Sequence, residues 1–313
     1  MRRTYIAAHD GTERGADAVA LARALARPDS GPVRMVHVCR AREPWDVLGD
    51  PAQDPTRVER ARVSGLEEHV RLPGDPLPLN LTARSVAHGL QDAAEREPAA
   101  VLVLASSPGG DAGRTFPGAT AQRLMHGAPC PVAVAPDGYA SRDMSEIQVI
   151  GVAIDVDPES WEAVRHAIEL ARGFDAHVRV MTAVDPVAEA SALAVPELVE
   201  DVREATIARG EEFLRDVRAQ MPGDVVVETE LCEGPQGAAV VAACDGDVDL
   251  LVCGSRSYGP NHVVLLGTTS SYLVAHSSCP VLVIPRGAAE RTPASGDAFA
   301  AACDTTLTIA PSS

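Results

Sequence analysis

The chain repeats one pattern twice. Tyr5 to Asp10 reads YIAAHD, and Val149 to Asp155 reads VIGVAID. Each is followed by a polar turn and an Ala- and Leu-rich helical stretch, Ala16 to Ala26 in one copy and Ser160 to Arg172 in the other. Pro131-Val132-Ala133-Val134 is echoed by Pro280-Val281-Leu282-Val283. Asp155 follows Asp10 by 145 positions and Pro280 follows Pro131 by 149, so the copies differ by a few inserted residues. Such a repeat limits the fold strongly, because one supersecondary plan must serve both halves. The length of 313 residues agrees with about two domains.

Within each copy, short apolar runs alternate with amphipathic stretches. The first copy predicts strands at 4–9, 33–38, 79–85, 101–105 and 131–135. Helices are expected at 13–27, 57–71, 90–96 and 119–127, with Gly89 opening a turn before the third. The second copy predicts strands at 147–154, 177–184, 225–232, 248–253 and 281–284, with helices at 158–173, 195–220, 235–245 and 267–276. Strands alternating with helices imply parallel sheets covered on both faces, and right-handed crossovers leave few topologies. The fold class is therefore α/β, two tandem doubly wound, Rossmann-like domains. They span 1–136 and 147–286; the polar, turn-rich 137–146 joins them, and 287–313 reads as a disordered tail.

Composition excludes several functions. The net charge is -17 and all 27 basic residues are Arg, so nucleic acid and anionic lipid are repelled. Without Lys there is no Walker A phosphate loop. No apolar run approaches the roughly 18–20 residues of a membrane helix, and the start is too short in apolar residues for a signal peptide, so a cytoplasmic address is expected. The seven cysteines are odd in number and lack C-x-x-C spacing, which points to buried reduced thiols. No H-E-x-x-H or G-x-S-x-G pattern occurs. His9 and Asp10 are neighbours on a strand and face opposite ways. His126 and His276 follow matching helices and suit C-terminal dipole partners.

One stretch carries chemistry. Leu250 to Cys253 is a buried-strand run, Gly254 ends it, and Gly267-Thr268-Thr269-Ser270 opens a helix before the strand at Val281 to Ile284. A glycine at a strand end lets a phosphate approach the backbone. A Gly-Thr pair at a helix start offers N–H groups, a hydroxyl and the positive dipole end. Taken alone, Thr268 also suits an ordinary N-cap, Gly254 a plain turn, and Arg256 a solvated surface cation. Asp155 ends strand one at the seam beside strand four. There its carboxylate can accept from an adenine amino group or a ribose hydroxyl, since Asp157-Pro158 better suits capping the next helix. Ala153 and Val184, at strand ends, suit core packing by themselves.

The chain resembles the universal stress proteins, whose G-x2-G-x9-G-[S/T] falls on Gly254, Ser257, Gly267 and Thr268. Ser257 stands where the family has its second glycine. Were that position to need positive φ, Ser would cost it roughly 1–2 kcal/mol. The resemblance covers about 1–136 and 146–286. It implies strand order 3-2-1-4-5 in each half and pairing of the two fifth strands. It also implies a site for ATP, with or without magnesium, that uses Asp155 for adenosine and main-chain groups of Ala153 and Val184 for the adenine edge. Gly254, Arg256, Ser257, Gly267, Thr268 and Thr269 would receive phosphate. In the first half Ala105 and Pro108 replace the first two motif glycines and Ala119 replaces the hydroxyl residue, while Asp10, Val38 and Gly118 match. That half is expected to bind nucleotide weakly or not at all. The expected role is a binding protein in a stress response, not an enzyme. A nucleotide-free interaction scaffold and a slow ATPase stay open, as do the protein partner and a homodimer.

Overall fold

The computed structural model describes residues 4–41, 63–68, 70–97, 99–142, 146–155, 160–193, 199–258 and 263–285. The region assigned to the tail lies outside them.

The first half runs β1 (Thr4–Ala8), α1 (Glu13–Ala26), β2 (Val33–Arg40), a helical stretch at 63–68, and β3 (Leu79–Ala83). It continues with α2 (Val86–Arg96), β4 (Ala99–Ala105), α3 (Ala119–Gly127) and β5 (Val132–Ala135). The second half runs β6 (Val149–Ala153), α4 (Ser160–Phe174), β7 (His177–Val184), α5 (Pro186–Leu193), α6 (Val199–Ala219) and β8 (Val227–Glu233). It closes with α7 (Gln236–Cys244), β9 (Leu250–Gly254), β10 (Arg256–Tyr258), β11 (Val263–Leu265), α8 (Thr268–His276) and β12 (Val281–Ile284).

Ten strands form one sheet in the order β3-β2-β1-β4-β5-β12-β9-β6-β7-β8. Each half thus follows 3-2-1-4-5, and the two expected sheets are one. All neighbours run parallel except β5 and β12, where Val134, Ala133 and Val132 face Val281, Leu282 and Val283 antiparallel. The reason is symmetry: when two copies of one edge meet about a two-fold axis, their strands must oppose. Every residue of β5 and β12 is buried, so neither could remain a bare edge.

Strand alternation supplies both faces of this sheet. Tyr5, Ala7, Val103, Ala133, Val152 and Leu250 point toward α1, α4 and α6. Ile6, Leu102, Leu104, Val134, Leu251 and Val283 point toward α2, α3, α7 and α8. Each apolar layer crosses the junction between halves without a break. The joining segment is also docked. Its turn at Tyr139–Ser141 buries Tyr139, and the carboxylate of Asp17 on α1 accepts from the N–H groups of Gly138 at 3.0 Å and Ala140 at 2.7 Å.

Three local expectations change. Gly89 opens no turn: Ser85 caps α2 by accepting from the His88 N–H at 3.2 Å, and Gly89 sits inside the helix. A Cβ there would lie 2.6 Å from Val38 Cγ1, so the glycine admits close helix–sheet contact. The helix read over 195–220 is described at Val199–Ala219, residues 195–198 lying outside the described residues, and a further helical stretch, α5, stands at Pro186–Leu193 where none was expected. The motif loop contains a hairpin, β10–β11, pairing Arg256 with Leu265 and Ser257 with Val264.

Candidate functional site

β6 and β9 are parallel neighbours, with Ala153 opposite Cys253. Both end at the carboxyl edge of the sheet, where the chain turns away and leaves a cleft, the usual ligand position in such sheets. Ala153, Asp155, Gly254, Gly267 and Thr269 line it, joined by Gln236, which the sequence reading missed. The cleft encloses about 620 Å³, counting its open mouth, but its deep part admits only a few waters.

Two helices aim their amino ends at this cleft. α8 starts behind Gly267, whose extended backbone (φ -62°, ψ 162°) offers no side-chain cap to the first helical N–H groups. The first helical bond runs from the Ser271 N–H to the Gly267 carbonyl at 2.8 Å. α7 starts behind Pro235, again without a side-chain cap. The two starts are tied together, because the Thr269 hydroxyl donates to Gln236 Oε1 at 3.1 Å. The Ser270 hydroxyl donates to the Gly254 carbonyl at 2.8 Å, fixing the strand-end glycine against α8. Uncapped helix starts concentrate positive potential, an arrangement suited to an anion although the chain as a whole is acidic.

The opposite wall carries Asp155. Its N–H donates to Ser160 Oγ at 3.0 Å at the start of α4, which turns the chain away from β6 and leaves the half-buried Asp155 in the cleft lining. Cys253 also lines the cleft, but burial pushes its thiol up to about 12, so it is a neutral packing group at pH 7. Among the described residues no histidine lines the cleft.

Not every expected residue arrives there. Ala183, not Val184, reaches the lining. Consecutive strand residues face opposite ways, and the Val184 carbonyl accepts from the Gly234 N–H at 2.8 Å. Thr268 is exposed at the helix start and is not part of the lining. Arg256 and Ser257 lie in β10, and Ser257 is extended, so the left-handed strain considered for it does not arise. Asp157 and Pro158 lie outside the described residues. Gln236, Ser270 and Ser160 were missed because their partners lie 5 to 33 positions away, beyond any local pattern.

The equivalent place in the first half is closed. Asp10 is spent on its own turn, accepting from the Thr12 N–H at 3.0 Å. Val38 is buried. The loop after β4 folds onto itself: the Ser107 N–H donates to the Phe116 carbonyl at 2.8 Å, and the Phe116 N–H to Ser106 Oγ at 3.0 Å. Ser107 Oγ stands where a Cβ on Gly118 would be. The loop is then stapled to the other half. The Thr115 N–H donates to the Ser277 carbonyl at 2.7 Å, Arg114 to the His276 carbonyl at 2.6 Å, and Arg142 to the Ser278 carbonyl at 2.7 Å.

The universal stress protein family model matches residues 1–136 and again 146–285. The chain belongs to the universal stress protein family. A universal stress protein of Mycobacterium tuberculosis is 32% identical over 208 residues, covering 64% of this chain and 70% of that protein. One from Methanocaldococcus jannaschii is 31% identical over 139 residues, covering 44% of this chain and 81% of its own. The crystal structure of a universal stress protein from Archaeoglobus fulgidus superposes with a TM-score of 0.57 at 14% identity, covering 91% of this chain and 98% of that one. That likeness concerns the fold. This universal stress protein has no helix among the described residues that is long and apolar enough to cross a membrane.

Proposed function

We propose that the second half of this universal stress protein binds an adenine nucleotide and that the molecule acts by binding, not turnover. One observation carries the reading: two uncapped helix starts and the Gly254 bend converge on one cleft whose far wall holds Asp155. Phosphate sits at the amino end of α8, against Gly267 and Thr269. Asp155 accepts from the ribose or the adenine amino group. Ala153 offers main-chain groups to the purine edge, and Arg256, two residues beyond Gly254 in the chain, is our candidate cation for the phosphates. ATP is the ligand carried forward: with its ribose at Asp155, its phosphates would reach toward the two helix starts. No group of three metal-ligating side chains occurs among the described residues, so magnesium would be held by the phosphates themselves.

The narrow deep cleft gives the binding step a consequence. A purine seated in the cleft would press on its lining, and the β10–β11 hairpin, outside the main sheet, joins two of the lining glycines, Gly254 and Gly267. Occupancy therefore shifts the hairpin, and that shift is the signal. The same narrowness favours one rival, a scaffold that holds no nucleotide. Native mass spectrometry of the purified protein separates the two. Copurified nucleotide, lost in Asp155→Ala, supports binding; an unliganded chain that stays unliganded with added ATP supports the scaffold. Sustained phosphate release from added ATP would point to an enzyme instead.

A further inference from the structure

The amino end of α8 is positioned by the other half of the molecule. His126 lies in the last turn of α3, and its Nδ1 is 3.1 Å from the main-chain nitrogen of Leu266. Leu266 immediately precedes Gly267, the cap of α8. The Leu266 N–H can only donate, so Nδ1 accepts and the imidazole carries its hydrogen on Nε2. The carbonyl of the same residue accepts from the Ser271 hydroxyl at 3.5 Å. Leu266 is thus held at its N–H by the first half and at its carbonyl by α8. The two bonds fix the peptide planes on either side of Leu266, and the second of these planes carries the Gly267 N–H.

The mirror contact is different. His276 ends α8 as His126 ends α3, yet its Nδ1 faces the Tyr272 carbonyl of its own helix at 2.9 Å, and its ring stacks on Tyr272 at 4.0 Å. What reaches across on that side is Arg114, to the His276 main chain. The imidazole acts across the halves only where the glycine motif is kept. A side chain that served the junction alone would be expected on both sides of a two-fold arrangement.

We infer that His126 is a positioning residue for the phosphate seat, so that the first half, lacking a nucleotide site of its own, tunes the site of the second. The inference rests on the nucleotide reading above and deepens it. Any ligand that moves Leu266 must stretch or break this bond, and by linkage a change at α3 alters affinity for the ligand by the same factor.

The test compares His126→Leu, similar in bulk but without an acceptor, with His126→Asn, whose Oδ1 stands as many bonds from Cα as Nδ1 does. Two readouts are taken on the full chain: the ATP dissociation constant by calorimetry, and amide hydrogen exchange at Leu266 without ligand. The Leu variant should weaken ATP binding about tenfold and speed Leu266 exchange about tenfold, the scale of one lost hydrogen bond. The Asn variant should restore both to within about threefold of the natural chain. Equal ATP affinity in all three proteins overturns the inference, as does loss of affinity in both variants alike, which marks the ring as mere packing. If the natural chain binds no ATP, the nucleotide reading falls. Exchange then decides alone: faster in Leu and restored in Asn keeps the cross-half clamp, and unchanged exchange removes it.

Discussion

Two loops occupy equivalent places in the two halves. One follows β4 and leads through 106–118 to α3; the other follows β9 and leads through 255–267 to α8. They share spacing but not structure. The first is filled by its own side chains and fastened to the opposite half by Arg114, Thr115 and the neighbouring Arg142. The second keeps a glycine at each end, spans the gap as a hairpin, and touches the opposite half through the bond to His126. Duplication therefore yields one half whose loop braces the junction and one whose loop keeps the motif glycines beside a cleft. The lesson is physical. Phosphate sites need unoccupied main-chain N–H groups, and a loop whose polar groups are already paired cannot offer them.

The largest effect that would sharpen this contrast lies beneath β1. His9 is buried, 3.3 Å from Glu67 and with its ring 5.9 Å from that of His37, and burial lowers its pKa from 6.5 to about 4. At pH 7 it is neutral, so its approach to Glu67 is not an ion pair. The equivalent position in the second half is the apolar Ile154. The unfolded chain takes up a proton near pH 6.5 and the folded chain only near pH 4, so stability is complete above 6.5 and falls as pH drops toward 4. His9 alone accounts for roughly 3 kcal/mol across that window. Glu67 opposes it in part, since burial holds its carboxyl above the usual range. Urea unfolding at pH 7 and pH 4.5 should show the first half losing stability first, and His9→Ile should flatten the profile. An unchanged profile in that variant would remove the asymmetry.

Next comes the staple. Arg142 donates to the Ser278 carbonyl at 2.7 Å and the Gly113 carbonyl at 2.6 Å, joining the closed loop to the turn before β12. Arg142→Met should cost about 2 kcal/mol in chemical denaturation, the scale of hydrogen bonds to a charged donor. Thermal stability equal to that of the natural chain would show that the first loop is not braced. A smaller effect concerns the carboxylates. Asp155→Ala should weaken ATP binding about tenfold, or about 1.4 kcal/mol, while Asp10→Ala leaves it unchanged. Equal losses would erase the distinction between halves. The smallest is an expected absence. Restoring the motif with Ala105→Gly, Pro108→Gly and Ala119→Thr should create no second site, because the loop stays stapled. Two nucleotides per chain by calorimetry would mean that spacing alone makes the site.

Much of this was legible in the chain itself, for a specific reason. Strand alternation and the repeat are local signals, so β7, α3 and β12 fall on the expected residues. Gly254 and Gly267 were legible because a strand end and a helix start each carry a glycine at a recognisable separation. The hairpin was not, since Arg256–Tyr258 and Val263–Leu265 are three residues each, too short to show a period, and pair only with each other. α5 was hidden by the apolar, Ala-rich run that merges into α6. Val184 was named for its main-chain groups, and the residue of β7 that reaches the cleft lining is its neighbour Ala183, on the other face of the strand. The partners of Gln236, Ser270 and His126 could not be read, since each is brought near only by the completed sheet.

The most direct measurement is a calorimetric titration of the natural chain and Asp155→Ala with ATP and magnesium. The expected result is one ATP per chain in the former and binding weakened about tenfold in the latter. No heat at millimolar ATP, or binding indifferent to Asp155, would contradict a nucleotide held between Gly254 and the start of α8.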